Sequence, residues 1–549
     1  MSFVLASTSS TINDYRRRPP KHSHVRLRIP NFFAAPFDPP PVSLLLPKPK
    51  DPTQSRICII GAGMSGLFSV LLLQKARFQK IMILEYQNRV GGRVHTQYFN
   101  DDKKQKLYGE LGAMRLPKTP EHQMVFDTID YLNERVSEDD RIDLIKFIFA
   151  DKKKKDESIM TQNDLQDFSK LGFPSTVSPH YKTLYAEGMN KFIEALDEDF
   201  DEGLKKLLMY DKYNDGICDR LSFVEAVIDA YTFMTDDNEW NTIDYGMQRF
   251  PNAFPHAFEY EENNGSGHVD IRYNYKVYKL ENDDESKVNV YWEENGVPNN
   301  DVFYRVIVTY PLGVVCHWEL PDWIENPEDP QESSDFYHKR RAIRELNYDN
   351  SAKIFLKFNS RFWEKQSNPD IVGGSSTTDL PIRTVIYPSY YVGMPIESPA
   401  ILLGSYTWAN DAAKYASYSQ QENVKFCLKD LKILHGKEIE EQWDNREEYN
   451  SSIYWPNDPT TVGAFALFGP EQYETLIYPM IKSMYNIHWA GEHTDIHHAW
   501  IIGALNSAVR VVQEILVQYD MKEKWEELKK EDPLKNWHGH IPPPAENLK

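Results

Sequence analysis

Apolar positions along the chain follow two rhythms. Arg56–Ile60 (RICII) and Ile81–Leu84 (IMIL) are short, nearly unbroken apolar runs rich in β-branched residues, the pattern of strands buried on both faces. Met64–Ala76 lies between them and reads as a helix, and VFYRVIVTYPLGVV from Val302 predicts a further strand. Near the other end, IHWAGEHTDIHHAWIIGALNSAVRVVQEIL from Ile487 predicts a strand, a loop and a helix starting near Trp500. Elsewhere the spacing is helical, in YAEGMNKFIEALDEDFDEGLKKLL (185–208) and DRLSFVEAVIDAYTFM (219–234), so positions 161–245 predict a helical lobe.

Glycine supplies the first chemistry. Gly61, Gly63 and Gly66 stand between the first strand and its helix: Gly61 permits a tight turn, Gly63 lets a pyrophosphate approach the backbone, and Gly66 lets helix and strand pack closely. The helix start, with Met64 and Ser65, offers unpaired N–H groups to phosphates. Glu85 ends the second strand about 20 residues on, where a carboxylate suits ribose hydroxyls and repels a 2′-phosphate. The following NRVGGRV, with Gly92 and Arg93, suits a flavin dinucleotide.

Composition narrows the class. At 549 residues, two or three lobes are expected, and 41% hydrophobic with 13% aromatic residues is that of a packed globular protein. A net charge of −20 argues against a nucleic-acid partner. No apolar run reads as a bilayer span, so a soluble chain without a membrane partner is expected. The four cysteines are scattered, without zinc-ligand spacing or a disulfide framework, and no secretory signal is evident; a cytoplasmic location is the expectation. Residues 1–54 are basic and Pro-rich and read as an extended arm, as does the tail 526–549. His493, His497 and His498 lie in a loop without a supporting carboxylate pattern, and no metal is expected.

Together with AGE at Ala490–Glu492, these motifs make the chain resemble the FAD-dependent amine oxidase superfamily. Within it, YGELGAMRLP (108–117) resembles the L-amino-acid oxidase signature. A guanidinium there has its own logic, because its planar fork grips a carboxylate with two bonds, as lysine cannot. DYGMQRFP (244–251), YKVYKL around Val277, NYDNSAKIFLKFNSRFWE, GGSSTTDLPIRTVIYPS and SYTWANDA are similar to further family segments, in the same order along the chain.

The resemblance implies an α/β architecture. Its discontinuous Rossmann-like FAD-binding domain would be built from 55–97, 262–342 and 483–525, and its mixed-sheet substrate domain from 98–160, 246–261 and 343–482, beside the helical lobe. It implies FAD as cofactor. Gly112, Ala113, Met114, Gly491, Glu492, Ala499, Ile501 and Ala504 would contact it alongside the glycine-turn residues, with Val277 against adenine. Arg115 and Tyr387 would share the substrate carboxylate, Lys353 would stand near flavin N5, and Trp408 and Trp500 would form walls. The implied reaction is oxidation of an L-amino acid by hydride transfer from Cα to N5. It would yield a 2-oxo acid, ammonia and, from dioxygen, hydrogen peroxide. An L-amino-acid 2-monooxygenase or a polyamine oxidase is the alternative, and a homodimer is the family's frequent form. Two departures stand out: Ala499 replaces a glycine, and the histidine base of venom members has no evident counterpart.

Overall fold

The structure is a computed structural model describing residues 49–537 except 101, 149–190, 214–221, 235–238, 285–286, 322–331, 367–371 and 485. The arm up to residue 48, the tail from 538 and much of the expected helical lobe lie outside the described residues.

From the N-terminal side, β1 (Arg56–Ile60) leads through the glycine turn into α1 (Met64–Lys75) and β2 (Lys80–Glu85). Next come β3 (Leu116–Lys118), α2 (Phe223–Met234) and β4 (Glu239–Ile243), then β5 (His268–Tyr273). A three-stranded antiparallel meander, β6 (Tyr275–Asp284), β7 (Lys287–Glu294) and β8 (Val297–Phe303), precedes β9 (Arg305–Val308). β10 (Ser351–Phe358), β11 (Ser375–Thr377), β12 (Thr384–Ile386), β13 (Ala400–Trp408) and β14 (Asn450–Tyr454) follow, and β15 (Ile487–Trp489) and α3 (Ile501–Gln518) come last.

These strands form two main sheets. The first, in the order β15-β9-β1-β2-β5, is parallel throughout, with Ile57 opposite Ile81 and Ile60 opposite Leu84. Its inner strands β1 and β9, with β15, are buried on both faces, which is why they read as largely apolar runs rather than alternating ones, while the edge strand β5 is partly exposed throughout. The second, in the order β11-β12-β13-β10-β14, is antiparallel. The mixture of parallel and antiparallel pairing is therefore between layers.

α1 packs directly on the first sheet because Gly66 has no side chain; a Cβ there would fall 2.0 Å from the Gly61 carbonyl oxygen. α3 packs beside α1, with Leu505, Val509, Val512 and Leu516 in the same core as Leu67 and Leu71. At 18 residues α3 is apolar and long enough for a bilayer span by composition alone, yet 78% of it is buried inside the protein.

Candidate active site

The carboxyl ends of β1, β2, β9 and β15 open onto one cavity, lined there by Gly61, Gly63, Glu85, Tyr310 and Gly491. This is where parallel sheets bind ligands, since the loops leaving the strands are free to separate. The backbone forms the floor. Gly61 and Gly92 have φ of +107° and +55°, and a Cβ built at Gly63 would meet no heavy atom within 4 Å. Gly63 also caps α1 without any side-chain bond, leaving the first-turn N–H groups to a ligand. Glu85 is held at the end of β2 by the N–H groups of Ala62 and Gln87, each 2.7 Å from one of its oxygens; burial nevertheless raises its pKa.

A buried ion pair closes the middle. Arg93 Nη1 donates to Glu492 Oε1 at 2.7 Å and to the Ala464 carbonyl at 3.0 Å. Glu492 also accepts from the N–H groups of Ala466 and Ala499, at 3.0 and 3.2 Å. Burial opposes its charge, but Arg93, His498 and His493 together outweigh burial and hold its pKa down to about 2. Ala499 sits at φ +63°, a region where a side chain is strained and glycine is not.

The far side belongs to the second sheet and its neighbours. Arg115 precedes β3, whose Pro117 lies opposite Trp240 of β4, and its guanidinium lies 4.8 Å from the Phe233 ring centroid and 5.7 Å from that of Trp240. Lys353 Nζ donates to the carbonyls of Glu110 (2.9 Å) and Gly112 (2.6 Å), so β10 pins the loop that carries Met114 and Arg115. Burial, offset by Glu110 and reinforced by Arg115, lowers the Lys353 pKa to about 7. Tyr406, Trp408, Trp455 and Trp500 complete the apolar walls, and Trp455 is fixed by its Nε1 bond to the Leu111 carbonyl at 3.0 Å.

A sequence model of the flavin-containing amine oxidoreductase family matches residues 64–516. The chain belongs to that family. A protein of Dictyostelium discoideum named as a bifunctional amine oxidase is 30% identical over 523 residues, 83% of this chain; the chain spans 46% of that relative's length. An L-amino-acid oxidase of Siganus canaliculatus is 29% identical, with 88% of this chain and 89% of the relative covered. Among solved structures, cyclohexylamine oxidase of Brevibacterium oxydans superposes with a TM-score of 0.59 at 13% identity, covering 85% of this chain and 100% of that one. A putrescine oxidase does so with a TM-score of 0.58 at 15% identity, covering 84% and 99%. These likenesses bear on the fold alone.

The family's cofactor is FAD, and the exposed glycine backbone, the uncapped α1 N-terminus and Glu85 fit its dinucleotide half. Gly63→Ala is a sharp test. With φ at −71° and open space before its Cβ, the variant is expected to fold with an unchanged Tm. Its FAD Kd should weaken by at least about tenfold, roughly 1.4 kcal/mol, because the methyl occupies the phosphates' approach. Titrating apoprotein with FAD measures this.

Most of the residues singled out in the sequence border the cavity: Met64, Ser65, Gly92, Arg93, Gly112, Ala113, Met114, Arg115, Lys353, Trp408, Ala499, Trp500, Ile501 and Ala504 do, with Gly61, Gly63, Glu85, Gly491 and Glu492. Gly66 acts behind it, in helix packing. Two do not face it. Val277 is buried in the β6–β7 core with Trp292 and Leu280. Tyr387 directly follows β12, and its hydroxyl lies 3.2 Å from Ser376 Oγ and 3.0 Å from His435 Nε2. Successive residues of a strand face opposite sides. Ile386 packs towards Met114 and Trp455, so Val385 and Tyr387 pack into the other core, with Trp363. The tyrosine that the second sheet brings to the cavity is Tyr406, opposite Lys353 across the β10–β13 pair. A signal for it existed: Tyr406 lies two residues from Trp408, on the same strand face.

The cavity also receives Glu225 and Asp229 from α2, which the sequence reading passed over. Two acids four residues apart in an otherwise apolar helix were the available sign. Four further acids flanking α2 in the sequence could attract a cationic substrate, but Asp215, Asp236 and Asp237 lie outside the described residues, as does the side chain of Asp211.

Proposed function

We propose that this flavoprotein oxidises L-amino acids to 2-oxo acids, with release of ammonia and hydrogen peroxide. The observation that carries the reading is Arg115, a guanidinium bordering the same cavity as the FAD cradle and set among aromatic rings. In such surroundings a carboxylate is worth more to the cation than in water, and the forked geometry orients it. Tyr406, close enough to perturb Arg115 electrostatically, is the hydroxyl available to the same carboxylate. Trp408, Trp455 and Trp500 exclude water and leave the substrate Cα–H one orientation, so positioning supplies much of the rate. FAD, when bound, supplies the two-electron oxidant that dioxygen regenerates.

Anaerobic addition of L-amino acids to the yellow protein is expected to bleach it, and the corresponding amides and simple amines should not. Bleaching by amines alone overturns the reading in favour of an amine oxidase. Release of an amide and carbon dioxide in place of ammonia and peroxide marks a monooxygenase.

Lys353 offers a pH prediction. With its pKa near 7, its charge is present below that pH and lost above it. The oxygen-dependent step is expected to slow as pH rises through about 7, and Lys353→Met should be slow and flat across the range. Substrate reduction should survive the substitution. Stopped-flow mixing with dioxygen separates the two steps; unchanged oxygen kinetics remove Lys353 from this role.

A further inference from the structure

A carboxylate enters the cavity from α2, where Glu225, Asp229 and Phe233 recur every fourth residue and so share one helix face. The two acids are engaged differently. Glu225 Oε2 accepts from the Phe468 N–H and the Tyr473 hydroxyl, each at 3.0 Å, and lies 2.8 Å from His498 Nδ1. Those partners hold it to the scaffold. Among the described residues no hydrogen bond or ion pair ends on Asp229, which borders the cavity and is within electrostatic reach of Arg115.

An amino acid arrives at neutral pH as a zwitterion. Its ammonium nitrogen has no lone pair to support a carbon that is losing hydride, so a proton must leave. The other groups around the cavity are poor acceptors. Arg115 stays a cation, and Lys353, only half charged near pH 7, has its Nζ engaged with the Glu110 and Gly112 carbonyls. The Tyr406 hydroxyl is raised by burial. For His498, burial works against the charge, yet Glu225 outweighs it and raises the pKa.

Resting on the amino-acid reading above, we propose that Asp229 accepts the proton of the substrate's α-ammonium while Arg115 holds the carboxylate. The N–H bond breaks with its electron pair left on nitrogen, and the proton joins an Asp229 oxygen. Bound FAD would supply the two-electron acceptor for the Cα–H pair; the freed nitrogen pair then closes the C=N bond, and the proton passes from Asp229 to water after product release. The Asp229 side chain is open to the cavity, and desolvation by the surrounding walls first and Glu225 second raise its carboxyl to about 6, with Arg115 opposing. It is therefore ionised at neutral pH and basic enough for proton transfer.

The test uses the FAD-loaded protein, Asp229→Asn and Asp229→Glu. Two probes that cannot be oxidised at Cα, 2-aminoisobutyrate and isobutyrate, differ in the ammonium alone, and flavin absorbance reads their Kd. The unmutated protein should bind 2-aminoisobutyrate more tightly as pH rises through about 6. Asp229→Asn should lose at least tenfold of that affinity together with the pH dependence, and bind isobutyrate as well or better. Its flavin reduction by an L-amino acid should fall about 10²–10⁴-fold at neutral pH. The rate should recover as pH rises and the free substrate amine deprotonates, and Asp229→Glu should restore part of it. If Asp229→Asn keeps the 2-aminoisobutyrate affinity and the acidic limb, the proposal is overturned. It is equally overturned if the variant fails only with lysine or arginine and treats leucine normally, since Asp229 then reads the side chain. If the unmutated protein is bleached by amines and by no amino acid, the functional reading falls and this proposal with it; intact amino-acid bleaching confines a negative result to Asp229.

Discussion

Arg115→Leu is expected to leave FAD bound and to lower kcat/KM for an L-amino acid by about 2–5 kcal/mol, the usual consequence of truncating one partner of a buried charge pair. At about 1.36 kcal/mol per decade this is roughly 30- to 5,000-fold. The guanidinium borders the cavity beside Phe233 and Trp240, and burial lowers its pKa from the usual arginine value, with Tyr406 and Asp229 acting in the opposite sense. A carboxylate entering from water therefore meets a cation that the protein has already desolvated. Leucine offers that carboxylate nothing. Steady-state kinetics with an amino acid and with its amide provide the measurement: the amide, already a poor substrate, should change little. If amino acid and amide lose rate equally, Arg115 supports the fold rather than the substrate.

Glu492→Gln is expected to be the most destabilising single change at the cofactor site. The pair with Arg93 is enclosed, and the Glu492 pKa of about 2 means the carboxylate is ionised at every physiological pH. Glutamine keeps one acceptor oxygen where two now accept from Arg93, Ala466 and Ala499, so the charge and at least one of these bonds are lost. Arg93 is then left buried with its main counter-charge gone, a loss of about 3–5 kcal/mol. Because the raised stability comes from a depressed carboxyl pKa, it is present above the ordinary glutamate range and lost as pH falls towards 2. Urea unfolding of the apoprotein at neutral pH should show the lower midpoint, and FAD occupancy of the purified variant should drop. An unchanged midpoint would mean that solvent reaches Arg93 and screens it.

Legibility differed sharply between the two halves of the site. The dinucleotide cradle was readable because its parts are close in sequence and each is dictated by local geometry. Gly61 needs its positive φ, Gly66 its absent side chain, and Glu85 its place at the end of a strand that pairs in register with β1. Arg115 and Lys353 were readable through family resemblance, and Lys353 proved to hold the very loop on which Arg115 sits. Tyr387 was misplaced by one step of the pleat. The segment around it was rightly assigned to the second sheet, yet a strand's parity relative to the core depends on which neighbour it pairs with. Here β12 pairs with β13 through a register shift between Thr384 and Ile386.

By itself, the sequence determined the parallel nucleotide-binding core, its glycine turn, its closing acid and the order of the segments that return to it. Strand period, glycine conformation and strand–turn–helix spacing are local properties, and the chain carries them wherever it goes. Only the tertiary structure decided which side chains face one another across the cavity. Arg115, Asp229 and Tyr406 lie far apart along the chain, on a loop, a helix and an antiparallel strand. Their meeting depends on helix phase and strand register set by the packing of cores built from the whole molecule, and no window of residues contains that information.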